Sequence, residues 1–280
     1  MNSPDANSPH PTIAFIGGGN MARSLIGGLL QSGAAPDHVR VAEPVAELRD
    51  ALVRDFGVQA FPDAIAAATG ADVWVLAVKP QVMRDVCAVL APIAQTQKPL
   101  VVSIAAGITS AQIDRWLGSG IAVVRCMPNT PALLGAGVTG LYANDEVDAG
   151  QRDIAQALLS SAGKTVWIND EALMDAVTAV SGSGPAYVFL LAEAMQAAGE
   201  AEGLSTEAAR ALTIETLLGA SRMLAADDTP AAELRRRVTS PNGTTQAAIE
   251  SFEGDGFRDV VARAVHAARV RGAELAAAND

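Results

Sequence analysis

The chain has 280 residues, 50% hydrophobic and 18% charged, with a mean hydropathy of +0.23; that is material for about two domains with buried cores and leaves little room for extended disorder. With 31 acidic against 20 basic side chains the net charge is -11 and the pI about 4.7, which repels a phosphate backbone and sets nucleic acid aside as a partner. No apolar stretch reaches the ~18–20 residues that cross a bilayer, and Met1–Pro11 is polar and Pro-rich without a basic, apolar signal pattern, so a soluble, cytoplasmic protein with no membrane partner is expected.

Residues 1–11 read as a flexible tail. From Thr12 to about 169, short β-branched runs alternate with segments of helical spacing. The strands read as Ile13–Ile16, Val39–Ala42, Asp72–Val78, Leu100–Ile104, Ala122–Cys126, Val138–Tyr142 and Thr165–Ile168; helical stretches between them include Met21–Gln31, Ala46–Asp55, Val82–Leu90 and Ala111–Leu117. Parallel neighbours need a crossover and a helix supplies it, so residues 12–169 are expected to form an α/β domain with a doubly wound, mainly parallel sheet. The strand-like runs then stop. Glu171–Val180, Pro185–Glu202, Thr206–Leu224, Ala231–Arg237, Thr245–Phe252 and Phe257–Ala277 read as helices, which predicts an all-helical domain over 170–280. Ser183 before Gly184-Pro185 has the look of a cap with Pro in the first turn, and Ser205 before Thr206-Glu207 begins another helix. Pro185–Gly199 is apolar around most of its circumference, with Tyr187, Val188, Phe189, Leu190, Leu191 and Met195 in close succession. A helical domain of this size cannot hide that surface alone, so helices of a second subunit are expected to cover it.

The first chemistry-bearing motif joins the first strand to the first helix. Gly17-Gly18-Gly19-Asn20-Met21-Ala22 has the G-x-G-x-x-A form of a Rossmann-type dinucleotide fingerprint. Gly17 permits the tight turn, Gly19 lets the backbone approach a pyrophosphate, and Ala22 allows close helix packing, while the free N–H groups of the helix start face the phosphates. Glu43 ends the second strand, where an acid accepts hydrogen bonds from the adenosine ribose and repels a 2′-phosphate. That tilts the cofactor toward NADH, although Arg40 and Arg49 stand close enough in sequence to neutralise a phosphate. Val78, Lys79 and Pro80 lie at the end of the strand Asp72–Val78, and Met127, Pro128 and Asn129 follow Ala122–Cys126; both segments fall at carboxyl strand ends, where ligands bind. Lys79 reads as a positioning group rather than a proton donor, since no acid identifies itself as its partner.

In the helical half, Val238-Thr239-Ser240-Pro241-Asn242-Gly243-Thr244-Thr245 places an Asn-Gly turn before a Thr-Thr helix start. Unpaired N–H groups there suit a carboxylate, and the two hydroxyls add adaptable donors; an ordinary N-cap with an exposed turn is the alternative. Cys87 and Cys126 lack C-x-x-C spacing, so neither a disulfide framework nor a metal site is expected. His10, His38 and His266 sit beside no candidate nucleophile or acid. Ketone reduction benefits from a general acid to protonate the alkoxide, whereas an imine can arrive already protonated. A nicotinamide domain without an evident acid therefore points toward C=N reduction.

Six segments in order carry a resemblance. Phe15–Met21, Ala77–Gln81, Val102–Gly107, Met127–Pro131, Ala179–Tyr187 and Ser240–Thr245 resemble the successive signatures of the pyrroline-5-carboxylate reductase family, over about Thr12–Glu274. The resemblance implies reduction of the cyclic imine L-1-pyrroline-5-carboxylate to L-proline by NADPH or NADH, the last step of proline biosynthesis. It implies a cofactor on Gly17–Met21, Val78–Pro80 and Met127–Asn129. It also implies a substrate carboxylate on the N–H groups around Asn242, Gly243 and Thr244, with the Thr245 hydroxyl meeting the ring nitrogen as the catalytic contact. Family members form dimers through intertwined helical domains, often assembled into decamers. Asn242 departs from the Gly common in the family. Two other readings stay open here: a hydroxyacid-dehydrogenase-like enzyme, which should carry a catalytic Lys or Asp where this chain has Ser181-Gly182-Ser183-Gly184, and a nucleotide sensor without turnover.

Overall fold

The computed structural model describes Pro11–Ala278, so the tail expected over 1–11 lies, Pro11 apart, outside the described residues. By its contacts the chain forms two units, one running to Ser183 and taking up the chain again from Ala268, the other Gly184–Ala267.

The first unit is built on one eight-stranded sheet. Its elements are β1 (Ile13–Ile16), α1 (Asn20–Gln31), β2 (Val39–Ala42), α2 (Ala46–Phe56), β3 (Gln59–Phe61), α3 (Ala64–Ala68), β4 (Val73–Leu76), α4 (Pro80–Gln97), β5 (Leu100–Ser103), α5 (Ser110–Trp116), β6 (Val123–Met127), β7 (Gly137–Ala143), α6 (Ala149–Ser160) and β8 (Gly163–Trp167). The strand order is β3-β2-β1-β4-β5-β6-β7-β8. Strands β1 to β6 pair in parallel, while β7 runs antiparallel to β6 and carries β8 with it. The doubly wound sheet expected from the alternation is present, and the short connection through Thr130–Leu134 explains the reversal, since a parallel return needs a longer crossover. β3 escaped the sequence reading: Gln59-Ala60-Phe61 is a three-residue, partly exposed edge strand with no apolar run.

Alternate residues of the central strands feed two cores. Ile13, Phe15, Val73, Val75 and Val102 pack on one face with Leu25, Ile26 and Leu29 of α1, while Ala14, Ile16, Trp74, Leu76 and Val101 pack on the other with Met83, Cys87 and Leu90 of α4. Each large side chain so buried contributes about 1.5–3 kcal/mol. Cys87 and Cys126 are free and buried; desolvation pushes the Cys87 thiol up to about 12 and the Cys126 thiol higher still.

The division between the units falls later than 169 because the next segment is tied to the sheet. In place of one helix over Glu171–Val180 there is a 3-10 turn (Glu171–Leu173), α7 (Met174–Val177) and a π-turn (Thr178–Gly182). Ser183 is not the expected helix cap: its backbone is helical at φ -83° and ψ -20°, and its N–H donates to the Thr178 carbonyl at 2.8 Å. The side chain of Val177 reaches so close to β7 that a Cβ built at Gly140 would lie 2.5 Å from its Cγ1.

The second unit holds α8 (Gly184–Ala201), α9 (Thr206–Ala226), α10 (Ala231–Arg237), α11 (Thr244–Gly254) and the first half of α12 (Phe257–Ala278). Ser205 caps α9 as its sequence promised, accepting the Ala208 N–H at 3.2 Å. None of the α8 side chains is buried, and Phe189 and Leu190 are 67% and 66% exposed. The apolar excess read from the sequence therefore stands open on the single chain. No helix among the described residues is long and apolar enough to cross a membrane.

Gly140→Ala is expected to lower the thermal unfolding midpoint, because Val177 is stiff at χ1 and overpacking of this kind costs about 1–3 kcal/mol. Adding Val177→Ala should recover part of the loss; a midpoint unchanged by Gly140→Ala would refute the close contact.

Candidate active site

The parallel strands β1, β2, β4, β5 and β6 turn their carboxyl ends to one edge of the sheet, and the order reverses between β1 and β4, which opens a crevice there. The glycine turn lies in it. Gly17 has φ +106° and donates its N–H to the Ala42 carbonyl at 3.0 Å; a Cβ at this position would sit 2.7 Å from the Ala77 carbonyl oxygen. Gly19 differs, since a Cβ there would meet nothing within 4 Å. It is the N-cap of α1, which has no side-chain cap and no acid in its first turn. The N–H groups of Asn20, Met21 and Ala22 come before the first helical bond, from the Arg23 N–H to the Gly19 carbonyl at 2.9 Å. Open space, free donors and the positive end of a helix fit a pyrophosphate.

Glu43 is 8% exposed, and its carboxylate accepts the Gly18 N–H at 3.3 Å and the Val45 N–H at 3.0 Å. The acid thus stands against the glycine turn, in the place a ribose-reading acid takes. Of the two neighbouring cations, Arg40 turns away to donate to the Thr69 carbonyl at 2.6 Å. Arg49 stays at the strand end, donating to the carbonyls of Glu43 at 2.8 Å and Pro44 at 3.1 Å. Val78 is half-buried and Lys79 exposed at the N-cap of α4, with Pro80 as the first helical residue.

Met127 ends β6 half-buried, and Pro128 and Asn129 after it are buried. The Asn129 amide faces inward at both ends: Nδ2 donates to the Ser181 carbonyl at 3.1 Å and Oδ1 accepts the Val138 N–H at 3.0 Å. The loop Ile104–Gly107 follows β5 at the same edge, with Ala105 and Gly107 buried. It formed part of the family resemblance without being assigned to the site; its place after a central strand was the available signal.

A buried ionic cluster beside these loops was not foreseen. Arg125, 4% exposed, lies 3.4 Å from Glu171 and 3.3 Å from Asp175, and Ser110 donates its N–H and hydroxyl to the Glu171 carboxylate at 2.6 and 2.7 Å. Next to it, burial raises the Tyr142 hydroxyl above its usual range, with the charges of Glu171, Asp145 and Asp170 adding to the effect.

In the second unit, Asn242 adopts φ +58° and donates its N–H to Gln246 Oε1 at 2.7 Å, while the Gly243 N–H donates to the Ser240 carbonyl at 3.1 Å. Two of the N–H groups expected to face a carboxylate are therefore engaged within the loop. The open donors lie one step on. Gly243 is the N-cap of α11 without a side-chain cap, and the N–H groups of Thr244, Thr245 and Gln246 precede the first helical bond, from the Ala247 N–H at 3.2 Å. Thr245 is exposed. The arginine triplet is engaged elsewhere: Arg235 pairs with Glu253, and Arg236 and Arg237 with Glu233.

Residues 171–275 match the pyrroline-5-carboxylate reductase dimerisation domain, and residues 12–107 match the domain described as NADP oxidoreductase, coenzyme F420-dependent. A pyrroline-5-carboxylate reductase of Pseudomonas aeruginosa is 54% identical over 266 residues, covering 95% of this chain and 97% of that protein. The solved pyrroline-5-carboxylate reductase of Coxiella burnetii is 42% identical with a TM-score of 0.91, over 95% of this chain and 98% of the other. That of Plasmodium falciparum, solved with NADP bound, is 28% identical with a TM-score of 0.84 over the same shares.

Gly19→Val tests the phosphate cradle. An apolar N-cap costs about 1 kcal/mol, so the variant should fold, while its branched side chain enters the open space and weakens dinucleotide binding by roughly tenfold or more, a loss of about 1.4 kcal/mol. Titration of NADH fluorescence reads this; unchanged affinity would remove Gly19 from the site.

Proposed function

The chain belongs to the pyrroline-5-carboxylate reductase family, and from that premise we propose how its own residues perform the reaction. The enzyme reduces L-1-pyrroline-5-carboxylate to L-proline with NAD(P)H, the last step of proline biosynthesis. When bound, the reduced nicotinamide supplies the hydride for the imine carbon.

Everything else is binding, orientation and charge. Gly17, Gly18, Gly19, Asn20 and Met21 hold the pyrophosphate on the open start of α1, and Glu43 takes the adenosine ribose. Val78–Pro80 and Met127–Asn129 line the nicotinamide end. The substrate carboxylate rests on the start of α11 beside Asn242 and Gly243, on the donors of Thr244 and Thr245, and the Thr245 hydroxyl orients the ring nitrogen. The substrate binds as the iminium, so hydride addition to its carbon leaves a neutral amine and no side chain has to deliver a proton in that step. Proximity and orientation then carry the rate. The observation that supports the reading most is the presence of two helix starts without side-chain caps, α1 and α11, in a chain whose Arg235, Arg236 and Arg237 are held by Glu253 and Glu233.

The protein is a homo-oligomer through its dimerisation domain. We take the dimer formed by residues 170–280, with 12–169 as the dinucleotide-binding domain, to be the working unit and a decamer its further assembly; the exposed α8 face supports the first step. A cytoplasmic location accords with the free thiols of Cys87 and Cys126.

Oxidation of NADH and of NADPH in the presence of L-1-pyrroline-5-carboxylate, each run separately, tests the activity, and its absence with both would overturn the reading. Thr245→Ala should lower kcat about tenfold, the worth of a hydrogen bond to a charged group, with cofactor affinity intact; unchanged turnover would remove Thr245 from the mechanism. Glu43→Ala lifts a carboxylate–phosphate repulsion of ~1–4 kcal/mol, so the kcat/KM ratio of NADPH to NADH should rise about tenfold or more. An unaltered ratio would show that Glu43 does not read the ribose.

A further inference from the structure

The helical segment that follows the sheet contains a chemical defect. In a continuing helix the carbonyl of residue i accepts the N–H of residue i+4, and for Ser181 that residue is Pro185, which has no N–H. A carbonyl freed in this way needs another donor. Two features of the structure lie at this point. The segment Thr178–Gly182 widens into a π-turn, in which the Ser183 N–H reaches the Thr178 carbonyl at 2.8 Å. The Ser181 carbonyl is then taken by Asn129 Nδ2 at 3.1 Å.

Asn129 holds this bond from a fixed position. Its other amide end accepts the Val138 N–H at 3.0 Å, and the residue is 8% exposed. Alternate residues of the same stretch contact the same segment: Arg125 pairs with Glu171 and Asp175, and Met127 Cε lies 2.7 Å from where a Cβ of Gly182 would be. The period-2 face of β6 and its extension thus meets the helical segment residue by residue, and Asn129 is the last of these contacts, directly after Met127-Pro128.

The geometry points to Asn129 as a positioning residue: by filling the carbonyl that Pro185 leaves open, it docks the π-turn onto the Met127–Asn129 loop and sets that loop's backbone for hydride transfer. The inference rests on the reading that this loop lines the nicotinamide. Asn129 acts through its neighbours, with its amide turned into the protein rather than toward a ligand.

Asn129→Asp keeps an acceptor for the Val138 N–H and sets a carboxylate oxygen against the Ser181 carbonyl, while Asn129→Ala removes both contacts. In the purified full-length oligomer, Asn129→Asp is expected to lower kcat about tenfold or more and to leave NADH affinity, measured by fluorescence titration, within about threefold. Pro185→Ala gives position 185 an N–H for the Ser181 carbonyl, so it should recover part of the loss in the Asn129→Ala chain. Amide hydrogen exchange supplies a readout that does not depend on turnover: the Ser183 amide should exchange faster in Asn129→Ala, and more slowly again once Pro185→Ala is added. A folded Asn129→Asp enzyme with kcat within twofold of the parent would overturn the proposal. So would a matching loss of NADH affinity, which would make Asn129 a cofactor ligand, or Ser183 exchange unchanged by Asn129→Ala. If the parent enzyme itself fails to turn over pyrroline-5-carboxylate, the functional reading falls, and the exchange experiment still decides the role of Asn129.

Discussion

A sheet buried on both faces has to be covered on both, and the first unit follows from that constraint. Central strands such as Val73-Trp74-Val75-Leu76 send alternate side chains into two separate cores, so neither face can be left to water. Helical crossovers provide the cover and also keep the strands parallel. Parallel strands connected in this way deliver their loops, and the starts of the following helices, to a single edge. The binding edge is thus a by-product of how the core is hidden.

What the starts of α1 and α11 each offer is backbone rather than charge. The start of α1 presents unpaired N–H groups beside Gly19, and the start of α11 does the same beside Gly243. Each carries the partial positive charge of a helix end, worth up to about 2 kcal/mol toward an anion in a sheltered position. This suits a chain of net charge -11 whose arginines near both loops are held by carboxylates or carbonyls. It also suits a reaction in which a protonated imine accepts hydride. Such a step needs the partners held in place more than it needs a strong acid. Glu43 sets a carboxylate against the glycine turn.

The helical unit follows a different logic. Its most apolar helix, α8, buries none of its own side chains, and Val188, Phe189, Leu190 and Leu191 stand open along it. A surface of that kind is stable in water only when another subunit covers it, so folding and assembly become linked and stability depends on concentration. The dimerisation domain matched over residues 171–275 accounts for the surplus.

Much of this was legible without coordinates. The β-branched runs marked seven of the eight strands, the glycine fingerprint marked the dinucleotide turn, and the Asn-Gly-Thr-Thr run marked the second helix start, because periodicity and turn chemistry are properties of neighbouring residues. β3 was missed because three residues at an edge carry no period. The Ser183 cap was misread because a Ser-Gly-Pro triplet has the same spelling at a helix start as inside a helix that continues through a π-turn. The acidic partners of Arg125 and the Ser181 partner of Asn129 lie 46 to 52 residues away along the chain. By itself the sequence determined the alternation of elements, the glycine turn before α1, the Asn-Gly turn before α11 and the family they resemble. Only the tertiary structure decided which N–H groups remain open at the Asn242 turn and how Asn129 meets Ser181, since those contacts depend on distances in space that no local pattern encodes.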